Sequence, residues 1–133
     1  MSLTATPLYA GLLGLLFVIL SIRVIAARFT THVPLGDGGE KLLIKRIRVH
    51  GNCSEYAPMG LILLAMAELQ GAPLWVVHLL GLMLLAGRVL HAVGLGRTPQ
   101  IILFRRGGMV LTFAMLILAA LANIGHALGC HAA

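Results

Sequence analysis

Long apolar runs alternate with short polar segments along the chain, and this pattern predicts four helices. A helix needs about 20 predominantly apolar residues to cross the hydrocarbon core of a bilayer. Four such segments with short connections use up the length, which leaves no room for a separate soluble domain. The predicted spans cover residues of about 7–28, 45–69, 73–95 and 103–127. We therefore predict an all-α integral membrane four-helix bundle that forms a single domain over residues 1–133.

Glycine and proline mark the predicted ends of these helices. Pro7 suits the first turn of the first helix. Residues 30–41 form a turn-rich connection, after which a helix is expected to begin near Glu40 and to continue into the second span. The residues Gln70-Gly71-Ala72-Pro73 predict a tight turn into the third span. The third helix is expected to end near Leu95, because Gly94, Gly96 and Pro99 break it there.

The positions of the charged residues agree with the predicted spans. Only 11% of the residues are charged and the net charge is +6, whereas a soluble domain carries about 25% charged residues. Lys and Arg are concentrated at the end of the first span, before the second, and between the third and fourth. The two predicted termini and the turn at residues 70–73 carry none. The positive-inside rule then predicts cytoplasmic basic connections and both termini outside the cytoplasm. Because the basic residues follow this topology, we expect no nucleic-acid partner.

Cysteine and histidine give no metal or disulfide signature. Cys53 is expected near the inner end of the second span and Cys130 near the outer end of the fourth, which is too far apart for a disulfide. The six histidines are scattered over both sides of the predicted membrane, and no spacing suggests a metal site. They are His32, His50, His78, His91, His126 and His131.

The start of the second span is unusually polar. Charged groups in hydrocarbon are costly, so by default they mark a functional site. Helical spacing places several polar side chains on one side of this span, namely Lys45, Arg48, Asn52 and Glu55. Arg88 and His91, three residues apart, share a face of the third span.

Helix rise places Glu55 and Arg88 at similar depths. Glu55 lies about 10 Å inward from Arg48, and Arg88 lies about 13 Å inward from Arg97. We therefore predict an ion pair between Glu55 and Arg88, because an unpaired charge there would be costly. The pair could serve only to fix the helix register. The larger polar set instead suggests a site for a small anionic or zwitterionic ligand, with apolar walls that accept a hydrophobic second substrate from the bilayer.

Three segments resemble a known family. The run Arg48-x-His50-x-Asn52-Cys53-Ser54-Glu55-Tyr56-x-Pro58 resembles the second-helix signature of the MAPEG family (membrane-associated proteins in eicosanoid and glutathione metabolism), and it is especially similar to the leukotriene synthase branch. Gly87-Arg88-x-x-His91 and Arg105-Arg106-Gly107-Gly108-Met109 are similar to small bacterial inner-membrane members.

The resemblance implies a homotrimer in a bacterial inner membrane that binds glutathione between protomers near the cytoplasmic face. Its activity would be that of a glutathione-dependent transferase or peroxidase acting on hydrophobic electrophiles. The thiol-activating arginine of the family corresponds best to Arg105, and next to Arg106. The glutathione contacts of the family fall on Arg48, His50, Asn52, Glu55, Tyr56, Arg88 and His91.

The sequence also departs from the family pattern. Several eukaryotic members place tyrosines at the position of His91 and one turn later, where this chain has Leu95, which cannot donate a hydrogen bond. The scaffold is also used by non-enzymatic lipid-binding members. A non-catalytic protein that binds lipid or a partner protein is therefore the alternative function. A transporter is disfavoured because the sequence shows no pair of discontinuous helices.

Overall fold

A computed structural model describes residues 2–132 and contains four helices. They are α1 (Thr6–Thr31), α2 (Lys41–Leu69), α3 (Leu74–Gly96) and α4 (Ile102–Ala132). The all-α prediction is confirmed, since residues 2–132 include no strand. Three segments are long and apolar enough to cross a membrane, namely α1, α3 and the Ile102–Gly129 part of α4. Cys130 and His131 are predicted near the outer end of the fourth helix, and their side chains lie outside the part of the chain that the structure describes.

The predicted helix ends agree with the structure to within a few residues, and the third helix agrees to one residue at each end. Pro7 lies in the first turn of α1, as predicted, and α2 begins one residue after Glu40. α1 continues to Thr31, and the next residue, His32, adopts a left-handed conformation with φ of 58°. The third helix ends at Gly96, as the group Gly94, Gly96 and Pro99 predicts, and Gly94 itself lies within the last turn of α3. It serves in the packing of α3 against α4.

Glycines bring α3 and α4 into backbone contact. A Cβ atom added to Gly94 would lie 2.3 Å from the Arg105 nitrogen, and one added to Gly108 would lie 2.5 Å from the Gly87 carbonyl oxygen. Lipid tails are as apolar as side chains, so close packing through small residues is a main source of helix association in membranes. These glycines therefore fix the start of α4 against the last turns of α3.

The basic segments meet at one end of the bundle, called here the basic end. This end holds the ends of α1 and α3 and the starts of α2 and α4. Lys45 Nζ donates to the Arg97 carbonyl oxygen at 2.8 Å and to Thr98 Oγ1 at 2.9 Å. Arg46 Nη1 donates to the Arg23 carbonyl oxygen at 2.9 Å. The prediction that the basic connections share one side of the bundle is therefore consistent with these contacts.

A buried carboxylate closes the opposite end. Glu68, in the last turn of α2, is 6% exposed. It accepts hydrogen bonds at 2.5–2.9 Å from the backbone N–H groups of Thr4, Ala5 and Thr6 and from both threonine hydroxyls. A carboxylate at a helix N-terminus also meets the positive end of the helix dipole. Glu68 therefore ties the start of α1 to the end of α2.

We expect Glu68→Gln to lower the free energy of unfolding by about 2–3 kcal/mol, because hydrogen bonds to a charged acceptor stabilise more than those to a neutral one. Unfolding in mixed micelles, followed by circular dichroism, measures the change. The matched control is Glu40→Gln, since Glu40 is exposed and makes no side-chain cap on α2. Equal stabilities for the two variants would contradict a role for Glu68 in tying α1 to α2.

Candidate functional site

A cavity of about 360 Å³ opens at the basic end between α2, α3 and the start of α4. Four of the predicted site residues meet there: Arg48, Asn52, His91 and Arg105. The full lining consists of Lys41, Ile44, Lys45, Arg48, Asn52, His91, Leu95, Gln100 and Arg105. We call this space the basic cavity, because four of its side chains carry positive charge.

The register of α2 turns one polar stripe toward the basic cavity. Lys41, Lys45, Arg48 and Asn52 recur at intervals of three or four residues, so they lie along one face of the helix. The neighbouring face carries apolar residues that pack in the protein interior, namely Val49, Cys53 and Ala57 against Leu20 and Leu95. The predicted grouping of Lys45, Arg48 and Asn52 on one side is confirmed, and Glu55, the fourth member of the predicted group, lies beside Arg48.

Arg88 lies beneath this cavity and is only 1% exposed. Its guanidinium donates to Thr112 Oγ1 at 2.9 and 3.1 Å, to Met109 Sδ at 3.2 Å, and to the Asn52 carbonyl oxygen at 3.3 Å and side-chain oxygen. The ring of Tyr56 lies 5.3 Å from Arg88 Cζ, a cation–π contact. A single buried cation therefore joins α2, α3 and α4 through neutral partners.

The predicted ion pair between Glu55 and Arg88 is wrong. Glu55 Oε1 lies 3.7 Å from Arg48 Nη1, and these side chains are 53% and 57% exposed. Cys53 faces inward, and at about 100° per residue Glu55 is turned about 200° from it, toward the outside of the bundle. Asn52, on the side of α2 that faces α3, takes the place beside Arg88. An amide, a hydroxyl and an aromatic face replace the expected carboxylate.

Arg105 lies between two cavities. Its Nη1 donates to Gln100 Oε1 at 3.0 Å, and both residues line the basic cavity. They also line a second cavity of about 560 Å³, which is otherwise mainly apolar and is lined by Gln100, Ile102, Arg105, Arg106, Met109, Val110 and Phe113. We call this second space the apolar cavity. Arg106 lines the apolar cavity but not the basic cavity.

The remaining predicted site residues occupy three different surroundings. His91 is buried, and its backbone packs against Gly108 of α4. Tyr56 contacts Phe113 edge to face, with ring centres 5.6 Å apart. His50 lies on the α1 side of α2, where its Nε2 is 3.0 Å from Ser21 Oγ. We call Arg88 and its partners Asn52, Met109 and Thr112 the Arg88 cluster. The structure thus brings Tyr56 and His91 close to the Arg88 cluster and leaves His50 apart.

Gln100, Met109 and Thr112 also contribute to this site, although none of them was predicted to do so. Thr112 stands out in retrospect, because it is a polar residue in an otherwise apolar stretch of α4. Gln100 and Met109 offered no such signal, since their roles depend on how α4 packs beside α3. Among the side chains that the structure describes, residues 2–129, no group of three His, Cys, Asp or Glu is placed to hold a metal ion.

Comparison with known proteins identifies the family. The model of the MAPEG family matches residues 6–125. The chain belongs to the MAPEG family. Two similar relatives are the inner membrane protein YecN of Escherichia coli K12 and the same-named protein of E. coli O6:H1 strain CFT073. Each is 41% identical over 119 residues, which cover 90% of this chain and 89% of the relative. Their names give a location and no reaction.

This MAPEG protein is therefore a membrane protein, and the predicted family resemblance is confirmed. The motif in the second helix that carried the resemblance supplies Arg48 and Asn52 to the basic cavity, and Tyr56 to the Arg88 cluster. The motif in the fourth helix supplies Arg105 and the closely packed Gly108. The family motifs therefore coincide with the parts of the chain that build the two cavities.

We expect Thr112→Val to destabilise this MAPEG protein by about 2–3 kcal/mol, because it leaves donors of a buried guanidinium without an acceptor. Valine has nearly the same shape, so the loss reports on the hydroxyl. The control is Thr30→Val, since Thr30 is exposed and, like Thr112, donates to its own helix four residues back. Unfolding in mixed micelles should show little change for Thr30→Val. A similar small change for Thr112→Val would contradict the role given to Arg88.

Proposed function

We propose that this protein is a glutathione-dependent membrane transferase or peroxidase that acts on hydrophobic electrophiles. One observation carries the proposal: Arg105 and Gln100 line both the basic cavity and the apolar cavity. An anionic, water-soluble thiol and an apolar electrophile would then approach the same guanidinium from two sides. Neither cavity alone would favour a reaction between two substrates of such different polarity.

The basic cavity suits the charges of glutathione. Glutathione carries two carboxylates and one ammonium group at neutral pH. Four cations line the cavity and are candidates for the carboxylates, namely Lys41, Lys45, Arg48 and Arg105. Asn52 offers an amide to the peptide groups, and the exposed carboxylate of Glu55, beside Arg48, is the candidate for the ammonium.

Arg105 is the proposed activator of the thiol. A cysteine thiol has a reference pKa of about 8.5, so only a small fraction is thiolate at neutral pH. A nearby guanidinium favours the thiolate and lowers the pKa of the bound thiol. The buried charge of Arg88, which has only neutral hydrogen-bond partners, adds to the positive potential. We rank Arg105 above Arg106 because Arg106 lines the apolar cavity only.

The chemistry follows from the thiolate. In a transfer reaction, the sulfur electron pair forms a bond to an electrophilic carbon, and a leaving group departs with the electrons of its bond. In a peroxidase reaction, the sulfur attacks the terminal oxygen of a hydroperoxide, and the O–O bond breaks to give glutathione sulfenic acid and an alkoxide. The alkoxide takes up a proton to give an alcohol. The glutathione sulfenic acid then reacts with a second glutathione to give the disulfide and water. The apolar cavity offers Ile102, Val110 and Phe113 as contacts for either electrophile.

The proposal includes four membrane spans. α2 is bound to other segments at both of its ends. Lys45 contacts the residue after α3 at the basic end, and Glu68 contacts the start of α1 at the opposite end. Because α1 and α3 are apolar enough to cross a membrane, α2 would have to cross beside them. The positive-inside rule places the basic end in the cytoplasm and both termini outside. The two relatives named as inner membrane proteins support the bacterial inner membrane as the location.

The proposal also includes a homotrimer. Arg48 and Glu55 are more than half exposed on the protomer, although Glu55 lies about 10 Å along the helix axis from Arg48 toward the bilayer centre. Charged side chains at such a depth normally face another helix or a water-filled space. A neighbouring protomer would cover them and complete the basic cavity. His50 on the α1 side of α2 is then a candidate contact to the site of a neighbour.

A specific observation favours the alternative of a non-catalytic binding protein. Leu95 lines the basic cavity at a position where several family members supply a tyrosine hydroxyl. The site therefore offers one hydrogen-bond donor fewer toward a bound thiol. A protein that binds lipid or a partner protein with the same fold would not need that donor.

We expect Arg105→Ala to lower turnover of glutathione with a hydrophobic aryl halide by at least a hundredfold while glutathione still binds. Removing a group that stabilises a developing charge has effects of about this size. Turnover is measured by absorbance and binding by calorimetry, both on the detergent-solubilised protein. The matched control is Arg106→Ala, which should keep most of the activity because Arg106 lies outside the basic cavity.

The result for these variants separates the two functions. Normal turnover in Arg105→Ala with loss in Arg106→Ala would show that the wrong arginine had been assigned. Wild-type protein that neither binds nor turns over glutathione would contradict the proposed enzyme and favour the non-catalytic alternative.

A further inference from the structure

A third cavity, of about 310 Å³, lies between α1, α2 and α3 at the basic end. It shares no lining residue with the basic or the apolar cavity. Its lining consists of Leu16, Ile19, Leu20, Arg23, Arg46, Val49, Val89, Ala92, Val93, Gly96 and Arg97. We call it the three-arginine cavity. The proposed chemistry of glutathione makes no use of it.

Each of the three surrounding segments contributes one arginine. Arg23 comes from α1, Arg46 from α2, and Arg97 from the residue that follows α3. No acidic side chain is among the lining residues. Three guanidinium groups around one cavity without a carboxylate repel each other, so an anion between them would be stabilising. Arginine is also the side chain best suited to bind phosphate through paired hydrogen bonds.

An unpaired donor of Arg46 favours the binding of an anion in this cavity. Arg46 Nη1 donates to the Arg23 carbonyl oxygen at 2.9 Å. Its Nε is buried and has no hydrogen-bond partner among the residues that the structure describes. A buried donor without a partner is costly, and such groups in proteins are usually satisfied by protein, water or ligand. A phosphate oxygen is an acceptor that fits both this donor and the charge of the cavity.

The fold holds the three arginines together. Lys45 and Arg46 are adjacent and therefore about 100° apart on the helix, so they face different cavities. Lys45 binds the Arg97 carbonyl oxygen, which fixes the end of α3 against α2. Arg46 binds the carbonyl oxygen of Arg23, which fixes the end of α1 against the same turn. The basic run of α2 thus serves two separate cavities.

The remaining walls are apolar and continue toward the middle of the bundle. Leu16 lies seven residues before Arg23, which corresponds to about 10 Å along the helix. Ile19 and Val89 are 55% and 40% exposed, so this part of the cavity opens to the side of the bundle. A ligand with a charged group at the basic end and a hydrocarbon chain along α1 and α3 matches this arrangement.

We propose that the three-arginine cavity binds an anionic phospholipid from the leaflet at the basic end. The lipid phosphate would bind Arg23, Arg46 and Arg97, and an acyl chain would lie along Leu16, Ile19, Val89 and Val93. Basic pockets between membrane helices on the cytoplasmic side are known binding sites for anionic headgroups. The site lies apart from the glutathione chemistry, so it does not depend on the proposed reaction.

Native mass spectrometry of the detergent-solubilised protein tests the proposal. The probes are phosphatidylglycerol and phosphatidylcholine with identical oleoyl chains. Wild-type protein should bind phosphatidylglycerol at least tenfold more tightly, and Arg46→Gln should reduce this preference at least fivefold. Arg46→Lys keeps the charge and removes the Nε donor, so an intermediate loss is expected. The matched control is Arg106→Gln, which removes an arginine at the same end but outside the cavity and should leave the preference unchanged.

Three outcomes would overturn the proposal. Equal binding of the two lipids would remove the anionic selectivity. An unchanged preference in Arg46→Gln would place the lipid elsewhere, and it is also expected if a neighbouring protomer covers the cavity. Displacement of the lipid by equimolar glycerol 1-phosphate would identify a free phosphate ester as the ligand. Should Arg46→Gln fail to fold, Arg97→Gln gives the same test, because the Arg97 side chain is exposed.

Discussion

The arrangement of three helices depends on one buried cation. Arg88 is almost completely enclosed, yet its hydrogen bonds go to an amide, a hydroxyl, a carbonyl and a thioether, none of which carries charge. A buried guanidinium must keep its donors satisfied, since the cost of leaving them unpaired exceeds the gain from a single hydrogen bond. Asn52 of α2 and Thr112 of α4 are therefore held at fixed positions relative to α3. Because Asn52 also lines the basic cavity, the shape of that cavity is linked to the packing of the bundle.

Two other constraints determine how the helices are held together at the two ends of the bundle. Close backbone contact at Gly94 and Gly108 sets Arg105 beside His91 and the basic cavity. The basic side chains of α2 then divide between two faces about 100° apart, so that Lys45 and Arg46 line different cavities. At the other end, Glu68 satisfies the first backbone groups of α1. Many of the charged residues thus either bind helices to each other or line cavities.

Much of the fold and part of the site follow from the sequence, because apolar run length and helical spacing are local properties. The helix positions and the polar stripe from Lys45 to Asn52 belong to this class. The Glu55–Arg88 pair was wrong because matching depths ignored rotation about the axis of α2, which turns Glu55 outward and Asn52 inward. The role of Gly94 was missed because a glycine that ends a helix and a glycine that permits close packing look alike in one sequence. Gln100 and Glu68 act through residues distant in the chain, and no local pattern predicts such partners.

We propose that the guanidinium of Arg105, at the junction of the basic and the apolar cavity, activates a glutathione thiol. The decisive experiment is a titration of the purified wild-type protein with glutathione near neutral pH, followed by the ultraviolet absorbance of the thiolate. We expect a saturable rise in thiolate absorbance with one class of site. Binding of glutathione that calorimetry detects without any rise in thiolate absorbance would contradict the proposed activation of the thiol.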